Sequence, residues 1–292
     1  MYAMKRLFLS YILYVAVAFG CAAVMPSEVR WHNEAADTTR ITEILTEAAA
    51  LDARSPQARV GAVARKFIGT PYVASTLECT PEQLTVNIDE LDCTTFVETV
   101  AALCVTVGER RSSWRDFIHN LENMRYRQGQ LNGYASRLHY ISDWIVDNSH
   151  RGNLEEVTDR ITDSSYEVKT LDYMSSHRDS YPALKDDGEF NRVKSVEVGY
   201  RSHRFPYLKP SKLLSKQVVA KLRDGDIVAF TTKTPGLDVC HLGFIVFDGS
   251  EVKLLHASQR DGKVEIDPLP LADYLHRNRN ITGARILRLK ER

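Results

Sequence analysis

The sequence contains neither a Cys-x-x-Cys pair nor a His-Glu-x-x-His run, so neither common zinc pattern is present. No metal and no cofactor is expected. It also lacks a charge surplus, since 38 Lys and Arg balance 38 Asp and Glu. A nucleic-acid groove or a polybasic membrane face would need a basic excess, so neither is indicated. Local clusters such as Arg201, His203 and Arg204 read as a solvated face. Internal repeats and low-complexity tracts are missing too. What remains is ordinary globular composition, 43% apolar and 26% charged over 292 residues, enough for one elaborated domain or two small ones.

The N-terminus is more specific. Lys5 and Arg6 precede an apolar run from Leu7 to Phe19, and small residues follow, the three parts of a secretory signal. Ala16-Val17-Ala18 and Cys21-Ala22-Ala23 are candidate cleavage sites. Gly20-Cys21 resembles a lipoprotein site at which Cys21 would be acylated, although Phe19 fits that pattern poorly. An uncleaved anchor is the third reading, because Leu7 to Met25 nearly spans a bilayer. All three place the folded part outside the cytoplasm, in the periplasm, with the N-terminus as a candidate membrane tether. The expected division is a signal over 1–23, a flexible leader over 24–36 and a single domain over 37–292.

Four cysteines lie beyond the signal: Cys79, Cys93, Cys104 and Cys240. An exported chain invites a disulfide reading. If Cys93 and Cys104 share a helix they sit ~16 Å apart along its axis, too far for a bridge.

Apolar spacing predicts a helix from Thr38 to Leu51 capped by Asp37, then one beginning at Ser55-Pro56 and ending at Gly69. Thr70-Pro71-Tyr72 must be extended. Asp92 to Val107 reads as a buried helix closed by Gly108, and helical patterns recur at 113–125, 139–148 and 187–203. Strands follow over 226–231, 242–247, 252–257, 264–266 and 284–289, with a turn at Asp248-Gly249 and a short helix at 271–277. Helices first and strands last argue for an α+β fold.

Cys93 opens the buried helix. Free amides and partial positive charge at a helix N-terminus stabilise a thiolate and can receive a developing oxyanion. Asp92 is the expected helix cap. His241 and His256 fall on adjacent antiparallel strands, where one imidazole can act as base while the other fixes its tautomer. Cys240, next to His241 on a strand, should point to the opposite face and into the core.

Four segments carry a resemblance: Phe67-Ile68-Gly69-Thr70-Pro71-Tyr72, Leu91-Asp92-Cys93-Thr94-Thr95-Phe96-Val97-Glu98, His241-Leu242-Gly243 and His256-Ala257-Ser258. Together they resemble the NlpC superfamily of papain-like cysteine amidases, which act on bacterial cell-wall peptides. The likeness to its common core covers roughly 55–107 and 224–290. Two features depart from that core: Thr94 and Thr95 stand where serine and glycine are usual, and a long insert, 108–223, separates Cys from His. With Arg137-Leu138-His139-Tyr140 and Gly236-Leu237-Asp238-Val239, these features resemble a divergent branch first catalogued as a domain of unknown function. That branch comprises N-acetylmuramoyl-L-alanine amidases known for acting on anhydro-muramyl peptides.

The resemblance implies a papain-like core, with the Cys helix packed on an antiparallel sheet. It implies Cys93 as nucleophile, His241 as base and His256 as its orienting partner. Tyr72 would meet the substrate or the oxyanion. Arg137, His139 and Asp238 are candidate contacts to sugar or peptide, with a surface or structural use equally open for each, and Ser258 is a further candidate for substrate binding. The implied partner is a muropeptide or anhydro-muropeptide. Two alternatives stand beside the amidase: an endopeptidase for the γ-D-glutamyl–diaminopimelate bond, and a non-catalytic muropeptide-binding protein.

Overall fold

The computed structural model describes residues 29–51 and 56–290. The signal-like segment 1–23 and Cys21 lie outside the described residues. Chain entry differs from the expected flexible leader. Val29–Trp31 forms strand β1, parallel to β2 (Leu84–Val86), because its apolar residues bury against that strand. Helix α1 (Glu34–Ala50) starts three residues before Asp37. Its cap is Asn33, whose side chain accepts from the Ala36 amide. Asp37 sits inside the first turn and accepts from the Asn33 amide at 2.9 Å, a reciprocal cap that the first-turn pattern did not distinguish.

Helix α2 (Pro56–Arg65) leads to Gly69, and the Thr70-Pro71-Tyr72 segment then runs extended. Helix α3 (Cys93–Gly108) is the hub of the molecule, with every residue from Thr95 to Val107 buried. Burial of its one carboxylate is matched by a cation: Arg125 Nε donates to Glu98 at 2.6 Å. That arginine ends α4 (Trp114–Arg125), which packs along α3 and donates from Arg125 to Thr85 O.

A six-stranded sheet, antiparallel throughout, supports α3. Its order is β3 (Leu154–Glu156), β10 (Ile281–Leu289), β6 (Ile227–Thr232), β7 (Val239–Asp248), β8 (Glu251–Ser258) and β9 (Lys263–Ile266). One face carries the main core with Phe96, Val100, Phe244 and Leu255, and the other packs Leu208, Leu213, Val218 and Leu271. The fold is α+β, as the helix-then-sheet order predicts.

The long insert is packed structure. Helix α4 and α5 (Ile141–His150) bring Phe117, Leu121, Trp144 and Ile145 into the main core, and β3 extends the sheet. Farther along, Tyr134, Tyr140, Leu171, Met174, Leu184 and Val193 form a satellite core. A two-stranded ribbon, β4 (Ser165–Lys169) with β5 (His203–Tyr207), completes it. Among the described residues, no helix is long and apolar enough to cross a membrane.

Candidate active site

Cys93 is the first residue of α3, and Asp92 is its cap. The Asp92 carboxylate accepts from the amides of Thr94 and Thr95 at 3.0 and 2.8 Å, while Thr95 Oγ1 accepts from the Asp92 amide at 2.9 Å. Thr95 therefore performs a capping task that glycine could not. Asp92 O also takes the Phe96 amide. Of the four first-turn amides, the one beyond these three is that of Cys93 itself, beside the sulfur. The sequence reading gave several amides to a developing oxyanion; the cap narrows them to this one.

The thiol is half-buried. Burial, then the Asp92 carboxylate, pushes it up to about 12, and the Leu242 backbone amide and Thr94 hydroxyl only partly offset this. The resting group is a neutral thiol rather than the preformed thiolate that the helix terminus suggested.

His241 and His256 meet as their strands predict. The β7–β8 register pairs Phe244 with Leu255, which sets Gly243 opposite His256 and His241 two residues farther along β7. His241 Nε2 lies 2.7 Å from His256 Nδ1, with the rings perpendicular. Gly243 provides the room, because a Cβ there would come within 3.0 Å of His256 Cβ and 2.9 Å of Leu255 O. Burial pulls His241 down to about 3; burial and then Arg260 pull His256 down to about 4. Both imidazoles are neutral at pH 7, so each has one donor and one acceptor nitrogen.

Tyr72 is held from two sides. Its amide donates to Gly262 O at 2.8 Å, and it bridges to Leu91, next to the Asp92 cap. Burial, then the nearby Cys93 and Asp92, pushes its hydroxyl up to about 12, so it stays a donor. Ser258 supports this arrangement from behind. It is buried, donates to Asp261 Oδ2 at 3.0 Å and accepts from the Asp261 amide, fixing the turn that presents Gly262.

Other expected contacts are occupied within the protein. Arg137 is buried, with Nη2 2.7 Å from Glu78, Nε 3.3 Å from Glu82 and its guanidinium over the Tyr134 ring. It ties the insert to the segment before β2 instead of facing open space. His139 Nε2 bonds to Tyr134 O at 2.9 Å, and burial and then Arg137 hold it well below the usual imidazole range. Asp238 is buried and accepts from the Ser142 amide, joining the turn before β7 to the start of α5. Cys240 is exposed, not in the core. The β6–β7 register jumps from Phe230–His241 to Thr231–Val239, so Cys240 is the extra residue of a bulge and alternation fails there. All four described cysteines are free thiols.

Sequence reasoning missed three contributors. Phe230 stacks parallel to His241, and Tyr274 lies across both imidazoles, with ring centroids 6.4 and 5.6 Å away. Neither position carries a polar signature that periodicity reveals. Asp267 is fully buried, with Oδ2 3.6 Å from His256 Nε2. Its one sequence signal is the Asp267-Pro268 turn pair after β9. The ensemble of a capped thiol, two linked neutral imidazoles and a tyrosine hydroxyl suits acyl transfer.

The family model for N-acetylmuramoyl-L-alanine amidase-like proteins of the AmiA-like type matches residues 62–282. The chain belongs to this family. An N-acetylmuramoyl-L-alanine amidase from Bacteroides uniformis is 38% identical, with a TM-score of 0.75 over 80% of this chain and 99% of that one. A Bacteroides fragilis protein provisionally called a xylanase is also 38% identical, with a TM-score of 0.72 over 77% and 99%. A Legionella pneumophila protein at 23% identity shares the fold, with a TM-score of 0.68 over 89% of this chain and 96% of that one. A search of curated proteins finds no match.

Proposed function

We propose that this protein is a cysteine-dependent peptidoglycan amidase that hydrolyses the amide between N-acetylmuramic or anhydro-muramic acid and L-alanine. The observation that carries the reading is the His241–His256 link on β7 and β8, against which α3 packs with Cys93 at its capped start. Membership of the amidase-like family supports the bond.

Cys93 Sγ attacks the lactyl carbonyl carbon as His241 takes the thiol proton. The carbonyl electrons move onto oxygen, where the Cys93 amide and Tyr72 hydroxyl are the donors. Collapse breaks the C–N bond, and His241 delivers the proton to the departing alanine nitrogen. Water, deprotonated by His241, then releases the muramic acid from the thioester. His256 holds the base in place. The same layout supports assignment to the papain-like NlpC group, and the signal-like N-terminus supports a periplasmic site of action.

The test is to trap the thioester with defined muropeptides and weigh it. A muramoyl sugar on Cys93 is expected. A short peptide acyl group would replace the reading with the endopeptidase, and no product with any muropeptide would leave a binding protein.

A further inference from the structure

We propose that Asp267 is a positioning residue that sets the proton arrangement of the two imidazoles, so that His241 presents a lone pair to Cys93. The inference rests on the proposed function only in taking His241 as the base for Cys93.

The argument begins at His256 Nε2, a buried nitrogen with no hydrogen-bond partner among the described residues. Nearest to it in charge is Asp267 Oδ2, at 3.6 Å. Asp267 has no exposed surface and is fixed by its backbone and its other oxygen: its amide donates to Leu254 O at 2.8 Å, and Oδ1 accepts from the Leu269 amide at 2.9 Å. Oδ2 is therefore aimed, not wandering. At 3.6 Å the contact is longer than a hydrogen bond, but such contacts tighten when a substrate closes the site.

An ionised carboxylate only accepts. It therefore favours the His256 tautomer with its proton on Nε2. His256 Nδ1 is then an acceptor, and the 2.7 Å contact to His241 Nε2 requires the proton to sit on His241. That leaves His241 Nδ1 as the basic nitrogen. One buried carboxylate thus determines four nitrogens in series.

The surroundings explain why Asp267 orients His256 but does not charge it. Arg260 Nη2 shares Oδ2 at 3.5 Å, and Arg260 also pairs with Asp261. From the neighbouring elements, Glu265 on β9 stands opposite His256 in register, and Tyr274 lies across its ring. Burial and Arg260 together outweigh the Asp261 carboxylate and keep His256 neutral.

Asp267→Asn tests this, because it keeps the size of the side chain and the acceptor for Leu269 while offering an amide donor to His256. Two readouts need no muropeptide. In ¹⁵N-histidine spectra, the unaltered protein should show His256 protonated at Nε2, and Asp267→Asn should move the proton to Nδ1. The alkylation rate of Cys93 by iodoacetamide, followed on its own peptide by mass, should fall about tenfold or more, since a base in the wrong tautomer is a poor base. A folded Asp267→Asn protein with unchanged tautomer and alkylation rate overturns the proposal. So does a proton on Nδ1 of His256 in the unaltered protein, which can be read even if the variant does not fold. Failure of the unaltered protein to cleave any muropeptide would count against the proposed function and would leave both readouts intact.

Discussion

His241 Nε2 and His256 Nδ1 are 2.7 Å apart on neighbouring strands, and both rings are held neutral by burial. A base that stays neutral well below pH 6.5 stays competent there. The acid limb of kcat/KM on a muropeptide should therefore lie near or below pH 4, with little loss between pH 7 and 5. A limb centred at 6.5, the ordinary imidazole value, would show that His241 is not the titrating base.

The same shifts govern stability. Both imidazoles have a folded pKa below the unfolded one, about 3 for His241 and about 4 for His256 against 6.5. The unfolded chain then binds more protons between these values, so stability is fully present above pH 6.5 and falls as pH drops toward 4. Each imidazole contributes a slope of about 1.4 kcal/mol per pH unit within its window. Urea unfolding at pH 7 and pH 5 should show the loss, and His256→Leu should reduce it while His139 and His241 keep their shares.

Cys93→Ala and His241→Ala should each abolish turnover while leaving the fold intact, because nucleophile and base act as a unit. Circular dichroism and product analysis on the same samples check this. Near-normal hydrolysis by Cys93→Ala would remove the thiol from the mechanism.

Arg137→Ala should act through stability. It removes the cation beside Glu82, whose almost fully buried side chain keeps the Tyr126 hydroxyl as a donor, and breaking such a pair costs about 3–5 kcal/mol. Arg137→Ala with Glu82→Gln should recover part of the cost. Unchanged stability together with a raised KM would return Arg137 to the substrate.

Gly243→Ala forces a methyl group against His256 Cβ and Leu255 O. Overpacking of this kind costs about 1–3 kcal/mol, and the β7–β8 spacing must open to relieve it. Turnover should fall by more than stability alone explains, which kcat measured well below the melting temperature would show.

Local signals made the candidate triad legible in the sequence. Asp92 as a cap, Cys93 at a helix start and two histidines across a hairpin each depend on neighbours a few residues away. The polar positions outside the triad were less legible, because spacing shows that Arg137 and Asp238 are polar but not which partner takes them. Glu78 and Glu82 take Arg137 and Ser142 takes Asp238, and these contacts form only in the folded chain. Cys240 was misplaced because a single bulge residue breaks the alternation on which the inference relied. Asp267 lies beyond a strand end, where no periodicity reaches it.

Asp92 has a further consequence besides starting α3. Peroxides and disulfides are attacked by thiolates, not by thiols. By helping hold Cys93 protonated, the capping carboxylate keeps the resting sulfur a poor target for stray oxidants. Under the proposed mechanism, reactivity is then tied to a bound substrate, and the thiol is spared between turnovers.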